Sequence, residues 1–429
     1  MEGATVRVGL LGCGHVGGAL VELLVKDPGA IEARTGLRLE LAAVAVRSTT
    51  RERTVSLPGG VLTNDAQAVV ADPSIDVVVE VIGGIEPARG LILEALKGGK
   101  PVVTANKELL ANVGSELFEA AALAGVDLLF EASVAGGIPL IRPLRESLAG
   151  ERIRRVIGIV NGTTNYILTR MTEGGASYHD ALSEAQSLGY AERDPTADVE
   201  GFDAAAKAAI LASVAFGVRV VAGDVYREGI SAVTPADIAF ARRLGYVVKL
   251  LAMVEQGDDD AVAVRVHPAM VPVTHPLASV RDSFNAVFVE GDAVGQLMFF
   301  GRGAGGMPTA SAVLGDLIDA AHNLRVGGAG RTVALRRAAM RPIDDAQSEY
   351  YLNLEVVDRP GVLAAVAGVF GNHEVSIRSM EQEGLGAEAR LVFITHTARE
   401  RDVQACLADL RRLDAVDRIG SVLRVIGTV

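Results

Sequence analysis

Cysteine is scarce in this sequence of 429 residues, with Cys13 and Cys406 lying near opposite ends of the chain. The pair makes no metal-ligand spacing, and such sparing use of cysteine is typical of a reduced, cytoplasmic protein. Histidine is scarce as well, and the seven histidines form no convincing cluster. The composition therefore gives no support to a metal site built from thiols and imidazoles.

Basic residues are fewer than acidic residues, which gives a net charge of −12. Without basic patches or tails, nucleic acid and anionic membranes are not expected as partners. No apolar run reaches the roughly 18 residues of a membrane span, and residues 1–8 lack a signal-peptide pattern. A nucleophile elbow and a phosphate-loop lysine motif are missing too, so nothing favours a hydrolase or a kinase.

Glycine is abundant, with 48 residues, and the chain is long enough for two or three domains. Continuously apolar strands alternate with helices in the first region, which predicts a doubly wound parallel sheet. These strands are Val6–Leu11, Leu39–Val46, Ile75–Ile82 and Pro101–Thr104. A central α+β region follows, then a linker at residues 342–348 and a final region in the order βαββαβ, a ferredoxin-like module.

The motif GCGHVG places Gly12, Gly14 and Gly17 between a predicted strand and a predicted helix. This spacing permits a tight turn and lets a pyrophosphate approach the helix N-terminus, so it predicts a dinucleotide site, with an ordinary glycine turn as the alternative. Arg47 ends the second predicted strand, and more arginines follow. A base there accepts the 2′-phosphate of NADP, so NADP is favoured over NAD unless these arginines only solvate a loop.

Three shorter motifs suggest ligand contacts but have plain alternatives. Lys107 begins a predicted helix, where the dipole disfavours a cation unless an anion or a reacting oxygen is near. Glu131 begins EASVAGGIP, whose backbone carbonyls suit a hard cation, although a domain hinge is the simpler interpretation. NGTTNY, residues 161–166, joins a strand to a helix, so its amides bind a carboxylate or merely cap the helix.

The acidic span YAERDPTADVEGFDAAAK, residues 190–207, is the most informative segment. Asp203 and Lys207 are four residues apart and share one face of an alanine-rich helix. An exposed salt bridge explains the spacing most simply. A helix that is apolar all round is usually buried, however, and burial of a lysine beside a carboxylate is a common way to tune a proton donor.

Together these motifs resemble the homoserine dehydrogenase family with a carboxyl-terminal ACT domain. GRGAGGMPTASAV, residues 301–313, adds a further match, and the motifs follow one another along nearly the whole chain. The resemblance implies an α/β fold with an N-terminal Rossmann-type nucleotide-binding domain, a central α+β catalytic and dimerisation domain and a C-terminal ferredoxin-like ACT domain. The expected ranges are residues 1–132 with a returning helix at about 305–340, residues 133–304, and residues 350–429.

The implied reaction is the NADPH-dependent reduction of L-aspartate 4-semialdehyde to L-homoserine, on the route to threonine, methionine and isoleucine. Lys207 is then the expected proton donor, with Lys107 as a second lysine at the reacting site. The expected substrate residues are Glu192, Asp203, Asp198, Thr163 and Tyr190. The expected cofactor residues are Gly12, Gly14, His15, Val16, Gly17, Arg47, Thr104, Lys107, Gly189, Gly303 and Gly305. A sodium ion is expected at Glu131 and at the carbonyls of Val134, Gly136 and Ile138.

One position departs from the family pattern. Arg193 stands where a small residue is more usual beside the substrate glutamate. This puts the local placement of side chains in doubt, but not the reaction.

DRPGVLAAVAGVF, residues 358–370, resembles the first strand-to-helix turn of ACT domains, which bind amino acids at paired interfaces. It implies a homodimer or homotetramer with feedback control, with threonine as the first candidate effector near Asn372 and Ser376. A purely structural dimer module remains the alternative.

Two other functions compete with this dehydrogenase. A non-catalytic amino-acid sensor would bind without turnover, but the intact Lys107 and Lys207 speak against it. Another amino-acid dehydrogenase with an ACT domain, such as one acting on phosphoglycerate, lacks the expected Arg-His-Glu chemistry and leaves the acidic span unexplained.

Overall fold

A computed structural model of the chain describes residues 4–330, 335–384 and 388–427. By their internal contacts, the residues fall into two compact units. The first unit comprises Met1–Val156, Ala206–Val225 and Asn285–Ala338, and the second comprises Ile157–Ala205, Tyr226–Phe284 and Ala339–Val429. Among the described helices, none is long and apolar enough to cross a bilayer.

The helices and strands alternate along the chain. The first part contains β1 Ala4–Leu11, α1 His15–Lys26, α2 Pro28–Thr35, β2 Leu37–Ala45, β3 Leu62–Thr63, α3 Ala66–Ala71, β4 Val77–Glu80, α4 Ala88–Lys97, β5 Val102–Thr104, α5 Lys107–Ala124 and β6 Leu128–Leu129. The middle part contains β7 Ile153–Ile159, α6 Gly162–Gly174, α7 Tyr178–Ser187, α8 Thr196–Val199, α9 Phe202–Phe216, β8 Tyr226–Arg227, α10 Pro235–Arg243, β9 Tyr246–Gln256, β10 Val262–Pro272, β11 Phe284–Gly291, β12 Gly295–Arg302 and α11 Gly306–Val326. The last part contains β13 Gln347–Val357, α12 Val362–Asn372, β14 Ile377–Gly384, β15 Glu388–Thr395, β16 Ala398–Arg399, α13 Glu400–Leu410 and β17 Val416–Val425.

The first unit is built on a parallel sheet with the strand order β3-β2-β1-β4-β5-β6. Val8, Leu10, Val77 and Val79 are fully buried in it, as expected for strands covered on both faces. The strand order reverses between β1 and β4, and in such sheets ligands bind beyond the carboxyl ends of the strands at this point. The predicted doubly wound sheet is confirmed, and its GCGHVG turn lies at this reversal.

Helix α11 completes the core of this sheet from a distant part of the sequence. Ala310, Val313, Leu317 and Ala320 are fully buried in the same apolar cluster as Val8 and Leu10. Gly327, in a left-handed conformation with φ of 71°, ends the helix.

The second unit contains a sheet whose neighbours run in the order β9-β10-β17-β13-β15-β14. Strands β9 and β10 are antiparallel, whereas β17 joins β10 in parallel at Ala269 and Met270. Helices α12 and α13 cover one face of the last four strands, with Val366, Phe370 and Leu407 in their shared core. The order β13-α12-β14-β15-α13-β17 confirms the predicted ferredoxin-like module, apart from the extra two-residue strand β16.

Several predicted bounds differ from the structure. The strand predicted at Ile75–Ile82 is shorter, because Ile82 and Gly83 turn to donate their backbone N–H groups to the Glu80 carboxylate. The sequence predicts the first helix at Ala19–Lys26, and in the structure this helix already begins at His15. The segment predicted as a linker at residues 342–348 contains a short turn and the first residues of β13.

Candidate functional site

The three glycines of GCGHVG each have a separate structural reason. Gly12 adopts φ of +100°, and a side chain there would meet the backbone oxygen of Val81 at 2.8 Å. A Cβ on Gly17 would collide with the backbone oxygen of Gly12, so this glycine lets α1 pack close to the turn. At Gly14, in contrast, a Cβ would meet nothing within 4 Å. The open space at Gly14 lets a phosphate group approach the start of α1.

A second glycine-opened helix begins beside the first. Gly305, with φ of +123°, precedes α11 and provides no side-chain cap, just as Gly14 provides none for α1. The backbone N–H of Gly306 donates to Nε2 of His15 at 2.9 Å, which places the neutral ring's proton on Nδ1. Two helix N-termini, each with a partial positive charge, therefore meet at His15, where they favour an anionic ligand.

Gly303 is constrained by packing. It is buried, and a Cβ there would collide with the side-chain amide of Asn285. A Cβ on Gly136 would in turn meet the backbone oxygen of Gly303 at 2.5 Å. Close packing against Asn285 therefore explains why residue 303 is a glycine. Gly305, in contrast, is exposed just before α11.

Lys107 follows a hydrogen-bonded network at the carboxyl ends of β4 and β5. Thr104 is buried, and its hydroxyl donates to Glu80 Oε2 at 2.6 Å and accepts the N–H of Asn106 at 3.0 Å. The Asn106 amide donates to the Gly84 carbonyl at 2.7 Å, and its oxygen caps α5 through the N–H of Leu109. This network fixes the turn that carries Lys107, the half-buried first residue of α5. The Thr104 hydroxyl makes two hydrogen bonds in this network, one to Glu80 and one from the N–H of Asn106.

Arg47 lies just beyond β2 and is exposed. In the loop that follows, Arg53 donates to the backbone oxygens of Ser48 and Arg51. Arg53 is thus committed to the shape of the loop, whereas the Arg47 side chain is exposed.

Glu131 is buried and receives a ring of backbone amides. Its Oε1 accepts the N–H groups of Leu140 and Ile141 at 2.5 and 2.7 Å, and its Oε2 accepts the N–H of Arg142 at 2.8 Å. Val134 and Ile138 are also buried, at 0% and 1% exposure. Within the described residues no group of three or more His, Cys, Asp or Glu side chains could hold a metal. A cation here would therefore depend on Glu131 and backbone oxygens.

The acidic span is organised by an asparagine that the sequence analysis did not single out. Asn161 caps α6 through the N–H of Thr164, and its side-chain nitrogen donates to Asp198 Oδ1 at 2.7 Å and to Asp203 Oδ2 at 2.8 Å. The NGTTNY motif was expected to cap a helix or to bind a carboxylate through its amides. The structure shows the cap, and in addition the Asn161 side chain holds two carboxylates of the chain itself. Two carboxylates held this close favour a cationic ligand.

The other predicted substrate residues lie on the same unit. The Thr163 hydroxyl donates to the backbone oxygen of Tyr190 at 2.7 Å, so Thr163 holds the turn after Gly189. The ring of Tyr190 packs on that of Tyr166 at 4.9 Å and remains 43% exposed. The Glu192 side chain is exposed, and Gln186 donates to its backbone oxygen.

Helix α9 carries both Asp203 and Lys207. Ala204, Ala205, Ala208 and Ala209 are 0–2% exposed, and Lys207 itself is 9% exposed. The predicted burial of this apolar helix is therefore confirmed, with Lys207 buried and Asp203 half-buried. The helix places a buried ammonium one turn after a carboxylate that Asn161 fixes.

Three asparagines that the sequence analysis did not choose arrange much of this geometry: Asn106, Asn161 and Asn285. Asn106 and Asn161 each precede a helix, which is the position of an N-cap. A cap was expected from NGTTNY, but the contacts of the Asn161 side chain with Asp198 and Asp203 were not. Asn285 lies on a strand and has no comparable local signal.

Comparison with known proteins identifies the chain's domains. Residues 12–131 match the family model of the homoserine dehydrogenase NAD-binding domain, residues 139–318 match that of homoserine dehydrogenase, and residues 350–415 match that of the ACT domain. The homoserine dehydrogenase of Mycobacterium tuberculosis is 51% identical over 434 residues, covering 99% of this chain and 98% of the relative.

Solved structures agree with these matches. A homoserine dehydrogenase from Thiobacillus denitrificans superposes with a TM-score of 0.94 at 41% identity, covering 99% of each chain. A hyperthermophilic archaeal homoserine dehydrogenase in complex with NADPH superposes with a TM-score of 0.62 at 30% identity, covering 74% of this chain and 98% of that one. The chain therefore belongs to the homoserine dehydrogenase family of NAD(P)-dependent oxidoreductases acting on a CH-OH group, and it carries a C-terminal ACT domain.

Proposed function

We propose that this protein reduces L-aspartate 4-semialdehyde to L-homoserine with NADPH, and that Lys207 supplies the proton. The observation that carries the proposal is on helix α9. The buried Lys207 lies one turn after Asp203, whose carboxylate accepts a hydrogen bond from Asn161. The substrate has an aldehyde to reduce and an ammonium to bind. This helix offers a group suited to each task.

The residues then take complementary roles. When bound, the nicotinamide supplies the hydride. Negative charge develops on the aldehyde oxygen as it is reduced, and the Lys207 ammonium stabilises that charge and donates the proton. Lys107 is a second cation for the same site. Asp203 and Glu192 bind the substrate ammonium, with Asp198, Thr163 and Tyr190 lining its pocket.

In this proposal the cofactor binds at the N-termini of the two helices that follow a glycine, α1 and α11. Gly12, Gly14, His15, Val16 and Gly17 hold the pyrophosphate at the start of α1, supported by the open space at Gly14 and by the His15 contact with Gly306. The further cofactor residues are Arg47, Thr104, Lys107, Gly189, Gly303 and Gly305. Arg47 favours NADPH over NADH, because its exposed guanidinium follows β2, where the 2′-phosphate is recognised.

A sodium ion fits the donor set at Glu131 and the carbonyls of Val134, Gly136 and Ile138. Ala135 and Gly136 adopt successive positive φ values of 55° and 36°, so the backbone follows the irregular course that oxygen-only ligation needs. The ion would fix the segment after the first sheet, and no chemical step requires it.

Several finer properties complete the proposal. The domains extend over residues 1–132 with the returning helix, 133–304 and 350–429. The protein works in the cytoplasm as a homodimer or homotetramer, and threonine regulates it through the ACT domain near Asn372 and Ser376. Both residues are exposed, at the end of α12 and just beyond it, as an effector contact requires.

An assay of aspartate semialdehyde reduction with NADPH and with NADH tests the reaction directly. We expect homoserine as the product and a higher kcat/KM with NADPH. Binding of both ligands without turnover would instead support an amino-acid sensor. A flat response of the rate to added threonine would remove the proposed effector while leaving the reaction intact.

Arg47→Ala tests the cofactor preference. The KM for NADPH should rise roughly tenfold, in line with the loss of one charge-assisted hydrogen bond, while the KM for NADH stays unchanged. Arg34→Ala removes an exposed arginine from the end of α2 and is the matched control. Equal changes with both cofactors would show that Arg47 does not read the 2′-phosphate.

A further inference from the structure

Arg424, on the last strand of the ACT domain, is a buried arginine with two carboxylate partners. Its side chain is 5% exposed, its Nε donates to Glu400 Oε2 at 2.9 Å, and its Nη1 donates to Glu228 Oε1 at 2.9 Å. Glu400 begins α13 and so belongs to the same domain, whereas Glu228 directly follows β8. One guanidinium therefore connects the ACT domain to a segment 196 residues earlier in the chain.

The ACT domain holds Arg424 in a fixed orientation. Glu400 is 2% exposed, and besides Arg424 its Oε2 accepts the Tyr350 hydroxyl at 2.9 Å, while its Oε1 accepts the Gln404 amide at 2.8 Å. A buried carboxylate with this many donors has little freedom to move. A guanidinium is also a planar fork, so fixing Nε fixes the direction of Nη1 as well. Arg424 thus presents Nη1 to Glu228 from a rigid support.

Glu228 lies in residues 226–230, which we call the bridging segment. The Tyr226 hydroxyl donates to the same Glu228 oxygen that Arg424 binds, and the centre of the Tyr226 ring is 5.4 Å from the Arg424 guanidinium. The N–H of Glu228 donates to the backbone oxygen of Val266 on β10 at 2.7 Å. The Glu228 side chain is 32% exposed. Arg424 and Tyr226 therefore direct inward a carboxylate that water could otherwise solvate.

Gly229 allows the bridging segment to pack directly on the end of α8. A Cβ on Gly229 would meet the backbone oxygen of Val199 at 2.4 Å and the Cα of Glu200 at 2.7 Å. The N–H of Ile230 donates to the same Val199 oxygen at 2.8 Å. Because no side chain separates the two backbones, a shift of the bridging segment would shift the end of α8 with it.

The contacted residues of α8 adjoin the carboxylates of the acidic span. Asp198 lies immediately before them, and it shares the side-chain nitrogen of Asn161 with Asp203. A second contact supports the Asp203 side, because the Arg227 guanidinium lies 3.7 Å from the ring centre of Phe202, which precedes Asp203. The bridging segment therefore touches the chain beside both aspartates, and the ACT domain anchors this segment.

We propose that Arg424 is a positioning residue for the substrate site, which acts through Glu228 and Gly229 to fix Asp198 and Asp203 in one arrangement. This role rests on the proposed function, in which the acidic span binds the substrate ammonium. Two carboxylates held at a fixed separation bind an ammonium better than two that must first be ordered. The ACT domain thereby contributes to substrate affinity even when no effector is bound. Because the contribution concerns the ammonium, it should appear in the KM for the semialdehyde more than in kcat.

Glu228→Ala breaks the contact at the bridging segment while Arg424 keeps its partner Glu400. The KM for aspartate semialdehyde should rise about 2–30-fold, the range for substitutions in a coupled contact network, while kcat and the KM for NADPH change far less. Glu228→Gln retains an oxygen acceptor for Arg424, so it should raise the KM less than Glu228→Ala does. Glu255→Ala is the matched control, because Glu255 is 29% exposed and pairs with Arg265, which is also 5% exposed. This control should leave the KM unchanged.

Gly229→Ala tests the next contact in the same route without altering any charge. The added Cβ would force the bridging segment away from the end of α8, so the KM for the semialdehyde should rise again with a smaller change in kcat. Gly223→Ala is the matched control, since a Cβ there meets nothing within 4 Å. It should change neither constant.

A double-mutant cycle shows whether Arg424 acts through Glu228. Arg424→Met should raise the KM in the otherwise unaltered protein but add little to it in Glu228→Ala. Additive effects would show that Arg424 acts by another route and would overturn its proposed role. Urea denaturation identifies the folded variants, and if Arg424→Met does not fold, Glu228→Ala and Gly229→Ala decide the question.

Hydrogen exchange without substrate or cofactor measures the same contact independently of turnover. Amides of residues 196–203 should exchange faster in Glu228→Ala than in the unaltered protein and in Glu255→Ala. An unchanged KM in both Glu228→Ala and Gly229→Ala, an equal rise in Glu255→Ala, or unchanged exchange at residues 196–203 would overturn the proposal. Failure of the proposed function would appear separately, as the absence of semialdehyde reduction by the unaltered protein.

Discussion

Lys207 on α9 and Lys249 on β9 are both buried lysines, yet their surroundings differ. Lys207 follows Asp203 by one turn in a helix of alanines. Lys249, at 4% exposure, donates to Asn165 Oδ1 at 3.0 Å and to the Val280 carbonyl at 2.5 Å. Both of those partners are neutral. Burial of a lysine alone therefore does not mark a proton donor, and the nature of the neighbouring acceptor is the better indicator.

The partner of Lys249 shows what this second lysine does. Asn165 belongs to NGTTNY and donates through one nitrogen to the carbonyls of Val280, Asp282 and Phe284. Its oxygen is therefore directed at Lys249. Lys249 thus completes a fixed connection between β9, α6 and the segment at 280–284, whereas the role proposed for Lys207 requires a reacting ligand.

The largest expected effect comes from Lys207→Met. Turnover per folded molecule should fall about 10²–10⁴-fold, the range for loss of a general acid, while the free energy of unfolding falls by no more than the roughly 0.5–3 kcal/mol of most single substitutions. Steady-state kinetics and urea denaturation measure the two effects. Lys97→Met, which removes an exposed lysine from the end of α4, is the matched control and should change neither. Undiminished turnover in Lys207→Met would remove this lysine from the mechanism.

Lys249→Met should show the opposite pattern. Asn165 Oδ1 loses the hydrogen bond that Lys249 donates to it, and the Val280 carbonyl loses a donor closer than Asn165. The free energy of unfolding should therefore fall by about 1–3 kcal/mol. Turnover per folded molecule should change less than tenfold, because the lysine touches framework atoms. If this variant remains folded but is as inactive as Lys207→Met, the assignment of a purely structural role to Lys249 is wrong.

The pH dependence of stability gives a smaller but sharper test of Lys249. Burial lowers the pKa of Lys249 to about 8, although attraction from Glu173 and Asp282 partly opposes the shift. Its pKa in the unfolded chain is about 10.4. Between these values the unfolded chain binds more protons than the folded one, so the cost of burying the charge fades as pH rises from about 8 to about 10.4.

Denaturant titrations of the unaltered protein and Lys249→Met at pH 7.5 and pH 10 would measure this effect. The stability advantage of the unaltered protein should grow with pH, and other titrating groups cancel in the difference. A constant difference would mean that the ammonium titrates normally in the folded protein.

Much of the fold could be predicted because its signals are local. The glycine turn at Gly12, the apolar strands of the first sheet and the βαββαβ order of the last module all follow from short patterns. Lys207 stood out because Asp203 precedes it by one turn in an apolar helix. Each of these features depends on residues that are neighbours in sequence.

The features that sequence reasoning missed depend on distant partners. Lys249 lies in an apolar strand, and its acceptors are 84 and 31 residues away. The collision that Gly303 would make with Asn285, and the contact between Arg424 and Glu228, likewise join segments with no local signature. Exposed β12 was missed for a different reason, since its residues alternate little between buried and exposed.

The late position of α11 in the sequence affects how the first unit folds during synthesis on the ribosome. Strands β1 to β6 are complete by Leu129, but α11, which buries Val313 and Leu317 in their core, begins only at Gly306. At about 5–20 residues per second, the emerging sheet waits roughly 10–35 s for its missing helix. During that interval its apolar surface is open to chaperones, and a chain that stops before Gly306 can never close it.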